Sequence, residues 1–228
     1  MEKIAFFGKI PAAAEFVGRG LSADTRELLG NWIGKLLVQQ AALTAAPLAA
    51  GQRAWRFYID PDLASGVGLL GVMLRSSDSV GREYPLLLLL SVRAPCAELL
   101  MQADLSGWFD RMAEIAEAVI ERQLTAEQIE MLLDRQPSLA ASAGQGDLEQ
   151  VRTVIQDWGA RKQGTSYVLP GASAISYLAR NLAVLGVDRL FAGHSVWWRK
   201  SSDGQNSELR YFSRLPQIQD FSALDAPW

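Results

Sequence analysis

Thiols and imidazoles are almost missing from this chain, whose 228 residues include one cysteine, Cys96, and one histidine, His194. A single thiol excludes an internal disulfide and fits a reducing compartment. Pro95 and Ala97 flank Cys96 with no cation to lower its pKa, so it reads as a buried or incidental thiol. A Ser-His-Asp or Cys-His device would have to use His194, which stands beside Gly193 at the start of an aromatic strand. One histidine and one distant cysteine make no ordinary zinc site.

Long apolar runs are lacking as well. The N-terminus, Met-Glu-Lys-Ile-Ala-Phe-Phe-Gly-Lys, is too short in apolar residues for a signal peptide. The longest apolar run, Pro85 to Val92, falls far below the ~18 to 20 residues that span a bilayer. The expectation is a soluble, cytoplasmic protein with no membrane insertion. There is no basic stripe: the 22 basic and 25 acidic residues are interspersed, for a formal charge of −3, which argues against nucleic acid as a partner. No internal repeat or heptad is present. Apolar residues make up 49%, enough for a real core and too many for a disordered chain.

The usual cofactor signatures fail on inspection. Gly66-x-Gly68-x-x-Gly71 has the spacing of a dinucleotide fingerprint, but its glycines lie inside a strand pattern followed by another strand, where turn and close backbone packing explain them. Gly8-Lys9 and Gly34-Lys35 lack the spacing and the trailing hydroxyl of a P-loop. Asp60-x-Asp62 lacks the glycine and glutamate positions of a calcium loop. No helix-spaced carboxylate pair falls in an apolar setting. No catalytic residue, metal or cofactor is expected.

What is present reads as an α/β protein. Ile4 to Phe7 is a short strand. Asp24-Thr25-Arg26-Glu27 resembles a capping box that opens a helix with Leu28, Leu29, Trp32, Ile33, Leu36 and Leu37 on one face, ending before Pro47 and Gly51. Trp55, Phe57 and Ile59 alternate with Arg56 and Tyr58 as in a half-buried strand. Val67 to Leu74 and Leu86 to Val92 read as strands covered on both faces, and the short connections make neighbours antiparallel. Asp104 caps a helix with Leu105, Trp108, Phe109, Met112, Ala116, Val119 and Ile120 inward, and Thr125 with Gln128 caps a shorter one through Leu133. Helices near 148–158 and 172–185, an extended piece at Tyr167 to Leu169 and a hairpin of His194–Arg199 with Glu208–Phe212 around Asp203-Gly204 complete the pattern, with 215–228 irregular. The sum is a three-layer α/β/α sandwich around a largely antiparallel or mixed sheet. Residues 1–135 form its core, 136–147 a candidate linker, and 148–228 a lobe completing the same domain.

Two features stand out as binding elements. Trp197 and Trp198 are adjacent, so on a strand one points inward and the other outward, and an exposed one would anchor a partner unless a helical layer covers it. Trp32, Trp55 and Trp108 belong to core faces. The turn Arg75-Ser76-Ser77-Asp78-Ser79-Val80-Gly81-Arg82-Glu83-Tyr84-Pro85 is a polar loop between the two most apolar strands. Arg82 can pair with Asp78, Gly81 can supply a positive φ, and Asp78 and the serine hydroxyls can satisfy loop amides. Either the turn satisfies itself, or it carries recognition groups at the end of buried strands.

Four segments resemble the TagF (ImpM) family of type VI secretion accessory proteins. They are Gly8-Lys9-Ile10-Pro11 with Glu15-Phe16-Val17 and Arg19-Gly20-Leu21; Trp55-Arg56-Phe57; Gly71 to Leu74 through Ser77-Asp78 and Val80-Gly81-Arg82 to Tyr84-Pro85-Leu86; and Ser195-Val196-Trp197-Trp198. The chain has Ala14-Glu15-Phe16 where the family has Gly-Asp-Phe, and Arg75-Ser76-Ser77-Asp78 where it has a Pro-Ser-x-Asp pattern. The resemblance implies a cytoplasmic, non-enzymatic protein that represses type VI secretion after translation. It further implies a forkhead-associated scaffold protein as partner, a link to the threonine-phosphorylation pathway, and a form unfused to the phosphatase domain some members carry. Its motifs mark Lys9, Glu15, Arg19, Trp55, Ser77, Asp78, Gly81, Arg82, Trp197 and Trp198 as candidate binding residues. The alternative is a polar-ligand sensor or minor enzyme that gathers Lys9, Glu15, Ser77, Asp78 and Arg82 around a ligand.

Overall fold

The computed structural model of the chain describes residues 3–42, 54–92, 105–137, 139, 153, 156, 185–187, 189–200 and 207–221. Cys96, Asp104, Pro47, Gly51, the Asp203-Gly204 loop, the extended piece at 167–169 and nearly all of 136–147, 148–158 and 172–185 lie outside these residues. The chain divides into two compact units: Met1–Arg93 with Ser106–Ser138 and Gly193–Trp228, and Ala94–Leu105 with Leu139–Ala192. Everything below on the sheet concerns the first.

Seven strands form one sheet: β1 (Ala5–Gly8), β2 (Val17–Arg19), β3 (Trp55–Ile59), β4 (Gly68–Leu74), β5 (Leu86–Val92), β6 (Ser195–Lys200) and β7 (Ser207–Phe212). Their order is β2-β1-β5-β4-β3-β6-β7, and every pairing is antiparallel. The two apolar runs therefore sit where their composition requires: β4 is the central strand and is buried at all seven positions, with β5 beside it. Gly71 lets these two approach, since a Cβ there would stand 2.3 Å from the Leu88 carbonyl oxygen. Gly66, at φ +83°, turns the chain into β4. Turn and backbone packing thus account for both ends of the glycine triplet.

β3 departs from its half-buried pattern, for all five of its residues are buried. Trp55, Phe57 and Ile59 join Leu69, Met73, Leu87, Leu89 and Trp197 in a cluster with Leu29, Trp32, Ile33 and Leu36 of helix α1 (Ala23–Ala42). On the opposite face Arg56 donates to Asp110 at 2.6 Å, from helix α2 (Leu105–Glu121). The charge that suggested a solvent face is instead covered and paired. The same alternation decides the tryptophan pair. Trp197 is fully buried against Trp32 and Phe57, and Trp198 is half-buried with its ring 4.7 Å from Phe109 of α2. Neither is the exposed anchor: Trp32 of α1 packs on Trp197, and Phe109 of α2 on Trp198.

Three further boundaries differ from the sequence pattern. Ser22, not Asp24, caps α1: its hydroxyl accepts from the Thr25 amide at 3.2 Å. Val17–Arg19, which the sequence pattern marks as no element, pairs with β1 as a strand. Within the irregular 215–228 segment, Ile218–Phe221 forms a short helix, α4, whose approach is fixed by Trp32 donating to the Pro216 carbonyl at 2.8 Å. Helix α3 (Ala126–Asp134) follows its pattern: Thr125 and Gln128 make the reciprocal capping box, and Ile129 and Leu133 are buried.

Candidate functional site

Lys9 and Asp78 are separated by 69 positions in sequence, and the fold brings them together at the end of β1. Gly8 makes this approach: at φ +140° it runs so close to Pro85 that a Cβ would stand 2.1 Å from the Pro85 carbonyl oxygen. The chain then delivers Lys9, 7% exposed, to the interior side of the 75–85 loop, where its Nζ donates to Asp78 Oδ2 at 2.8 Å. Arg82 Nε donates to the same oxygen at 2.7 Å. Asp78 Oδ1 accepts from the amides of Val80 at 3.1 Å and Arg82 at 2.8 Å. One buried carboxylate thus meets two cations and two backbone donors.

These contacts set its acidity. Burial pushes the Asp78 carboxyl upward, but Lys9, the Arg82 amide and guanidinium and the Val80 amide together outweigh it and hold the group well below the usual carboxylate range. Asp78 is therefore held as the carboxylate at neutral pH. Gly81, at φ +82°, supplies the left-handed residue that lets the loop turn over this carboxylate, and its amide donates to the Asp78 carbonyl at 3.0 Å. The loop base is a short ladder, with Ser77 bridging Glu83 and the Tyr84 amide donating to the Ser76 carbonyl at 3.0 Å. Arg75 pairs with Glu83 beside it. The Asp78 carboxylate satisfies the Val80 and Arg82 amides, whereas the buried Ser76 hydroxyl has no hydrogen-bond partner among the described residues.

The node also fastens the 10–16 segment. The Ser79 amide donates to the Ala13 carbonyl at 3.0 Å, and the Arg82 guanidinium reaches the Ala14 carbonyl. Phe16 then lies edge-on to Tyr84, ring centroids 4.4 Å apart, with the Lys9 ammonium 5.2 Å from its ring centre. Above this satisfied base the surface is apolar and cationic. Phe16 is 54% exposed, Val80 65%, and the Arg82 side chain 61%.

Of the candidate residues, Lys9, Ser77, Asp78, Gly81 and Arg82 come together here, with Glu15 exposed next to Phe16. The others serve elsewhere. Arg19 ties β2 to α3 through Glu127 at 2.7 Å and Glu130 at 2.9 Å. Trp55 is buried beneath the Arg199 and Arg210 guanidinium groups, 4.5 and 5.3 Å from its ring centre. Trp197 and Trp198 are core and helix-facing. Phe16, Val80 and Tyr84 belong to the site but not to the set of candidate binding residues; a large aromatic following the small residues Ala12, Ala13 and Ala14 in a connecting stretch was the available signal. Lys9, Asp78 and Arg82 satisfy one another, which counts against a polar ligand held among them. Among the described residues no group of three or more His, Cys, Asp and Glu side chains is arranged for a metal, and no helix is long and apolar enough to cross a membrane.

The crystal structure of PA0076 from Pseudomonas aeruginosa PAO1 is similar to this chain, with a TM-score of 0.68 and 25% sequence identity, over 93% of this chain and 89% of that one. No curated protein matches. Residues 5–136, more than half of the chain and the whole of the loop node, match the TagF N-terminal domain, described as type VI secretion system-associated. The chain belongs to the TagF family of type VI secretion-associated proteins.

Proposed function

We propose that this chain is a cytoplasmic, non-enzymatic α/β/α protein that restrains type VI secretion by binding a component of the machinery, a forkhead-associated scaffold, through the Phe16–Val80–Arg82 face. The observation that carries this reading is the state of the node. Its buried charges, Lys9 and Asp78, pair with each other beneath the loop, and this pairing supports a structural rather than a chemical use of the node. Its expenditure of hydrogen bonds instead holds two loops rigid beneath an exposed aromatic ring, an exposed valine and an outward guanidinium. Pre-ordering of this kind lowers the entropy lost when a partner docks, and aromatic and arginine side chains are the usual anchors of protein interfaces.

Calorimetric titration of the purified scaffold into the full chain tests the pairing, and effector secretion in a deletion strain tests the restraint. Measurable binding and raised secretion are expected. No detectable binding together with unchanged secretion would sink the reading.

A further inference from the structure

The loop node holds more positive charge than it uses. Asp78 accepts from Lys9 and from the Arg82 side chain, so two cations share one buried carboxylate and one positive charge is left over. Arg75 and Glu83 beside them pair with each other and add no net charge. The surplus falls on Arg82. The Lys9 ammonium is buried, with Asp78 and the Phe16 ring against it, whereas the Arg82 side chain is 61% exposed. Its guanidinium is also fixed in direction: Nε donates to Asp78 and Nη2 to the Ala14 carbonyl. Among the described residues Nη1 has no protein partner. An oriented cation with both N–H donors of Nη1 unspent thus stands in the same surface as the exposed Phe16 and Val80 side chains.

We propose that this face takes an acidic segment of its protein partner, with a glutamate or aspartate carboxylate on Arg82 and an adjoining apolar side chain on Phe16 and Val80; this rests on the reading of the face as the docking surface. A carboxylate is the anion that the charge balance fits. It brings one negative charge to one surplus positive charge, and its oxygens accept well from guanidinium N–H groups. A phosphate monoester brings nearly two charges and is ordinarily met by a cluster of arginines. Here the second cation of the node is buried on Asp78. Glu15, the residue after the Ala14 carbonyl that Arg82 holds, is exposed and makes no ion pair among the described residues, which adds a negative charge at the rim. A neutral or basic segment would leave the Nη1 donors unpaired once the interface excluded water, and an unpaired charged donor is costly to bury.

Two titrations of the full chain separate this proposal from the choice of partner. The first follows side-chain NMR signals and needs no partner protein; its probes are the capped tripeptides Glu-Leu-Glu, Gln-Leu-Gln and Lys-Leu-Lys, and Ser-Leu-Ser phosphorylated on both serines. Glu-Leu-Glu should shift the Phe16, Val80 and Arg82 signals at about fivefold lower concentration than Gln-Leu-Gln, and Lys-Leu-Lys should leave them in place. The second is calorimetry with the forkhead-associated scaffold. Arg82→Gln should weaken that binding about fivefold, and Glu15→Lys, at an exposed side chain, should tighten it. If Arg82→Gln fails to fold, Glu15→Lys and the peptide series decide the matter. No preference for Glu-Leu-Glu over Gln-Leu-Gln overturns the proposal, as does a tighter response to the phosphorylated peptide, which assigns the site to phosphate. A scaffold that binds with an affinity indifferent to both substitutions overturns it and leaves the pairing standing. A scaffold that does not bind, with the acidic preference intact, removes the named partner and supports the proposed ligand chemistry.

Discussion

Asp78 accepts from two cations and two amides, and that saturation has a signature in acid. Its folded-state pKa lies below the ordinary aspartate value of 3.8, so its contribution to stability is complete above that value and is lost as pH falls through the folded pKa. Asp78→Asn removes this contribution. Denaturant midpoints should therefore fall less for the variant than for the wild type between neutral pH and about pH 3. A residual acid limb should remain, because Glu127, Glu130 and Asp220 are also held below their usual values. For Glu130 the first cause is the hydrogen bond from Lys3; for Asp220 burial acts upward and is outweighed by Arg214 and the Gln217 amide. A buried residue of the opposite kind is Trp197. With its side chain wholly enclosed between Trp32 and Phe57, Trp197→Ala should cost ~3–5 kcal/mol in equilibrium unfolding. A loss below 1 kcal/mol, roughly a surface value, would contradict the packing described for β6.

Elements that rest on local chemistry can be read from sequence, and elements that rest on distant partners cannot. The capping box of α3 is local, since Thr125 and Gln128 are three residues apart and satisfy each other's amides. Thr125→Ala should cost about 1 kcal/mol of stability, measured by denaturant unfolding, and a neutral effect would mean that the helix is held by its buried Ile129 and Leu133 alone. At the start of α1 the Asp24 pattern pointed two residues too late, because the hydroxyl of Ser22 reaches the Thr25 amide instead. β2 was illegible because three residues with a central glycine carry no period; it is a strand only because Phe6, Phe7 and Gly8 of β1 lie alongside. β3 misled in its exposure for a similar reason. Arg56 looks outward-facing until Asp110, 54 positions away, is placed over it.

Across the whole sheet, the antiparallel hairpins β3–β4, β4–β5 and β6–β7 follow from short or turn-bearing connections, and they were legible as such. The places of β1 beside β5 and of β6 beside β3 were not, because those pairings join segments far apart in the chain. The candidate site divides along the same line. Pairing of Asp78 with Arg82 and the positive φ of Gly81 are local events and were expected. The insertion of Lys9 beneath the loop, and the edge-on contact of Phe16 with Tyr84, depend on β1 lying next to β5 and could be named only as members of one family pattern. That joint arrangement turns a polar turn into a hydrogen-bonded base with an apolar, cationic surface, and it carries the functional reading.

The most direct test compares binding with stability in one pair of proteins. Arg82→Ala removes one of the four donors to the buried Asp78; because Lys9 and two amides still hold that carboxylate and the lost guanidinium is itself largely exposed, stability should fall by about 1 kcal/mol. Combined with Phe16→Ala, it strips the surface and leaves the Lys9–Asp78 contact beneath. Calorimetric titration of the forkhead-associated scaffold into wild type and double variant, with denaturant unfolding of both, should show affinity reduced about tenfold or more, ~1.4 kcal/mol or greater, and a smaller loss of stability. Equal affinity in the two proteins, or a binding loss no larger than the loss of folding stability, would contradict the assignment of this face to the partner.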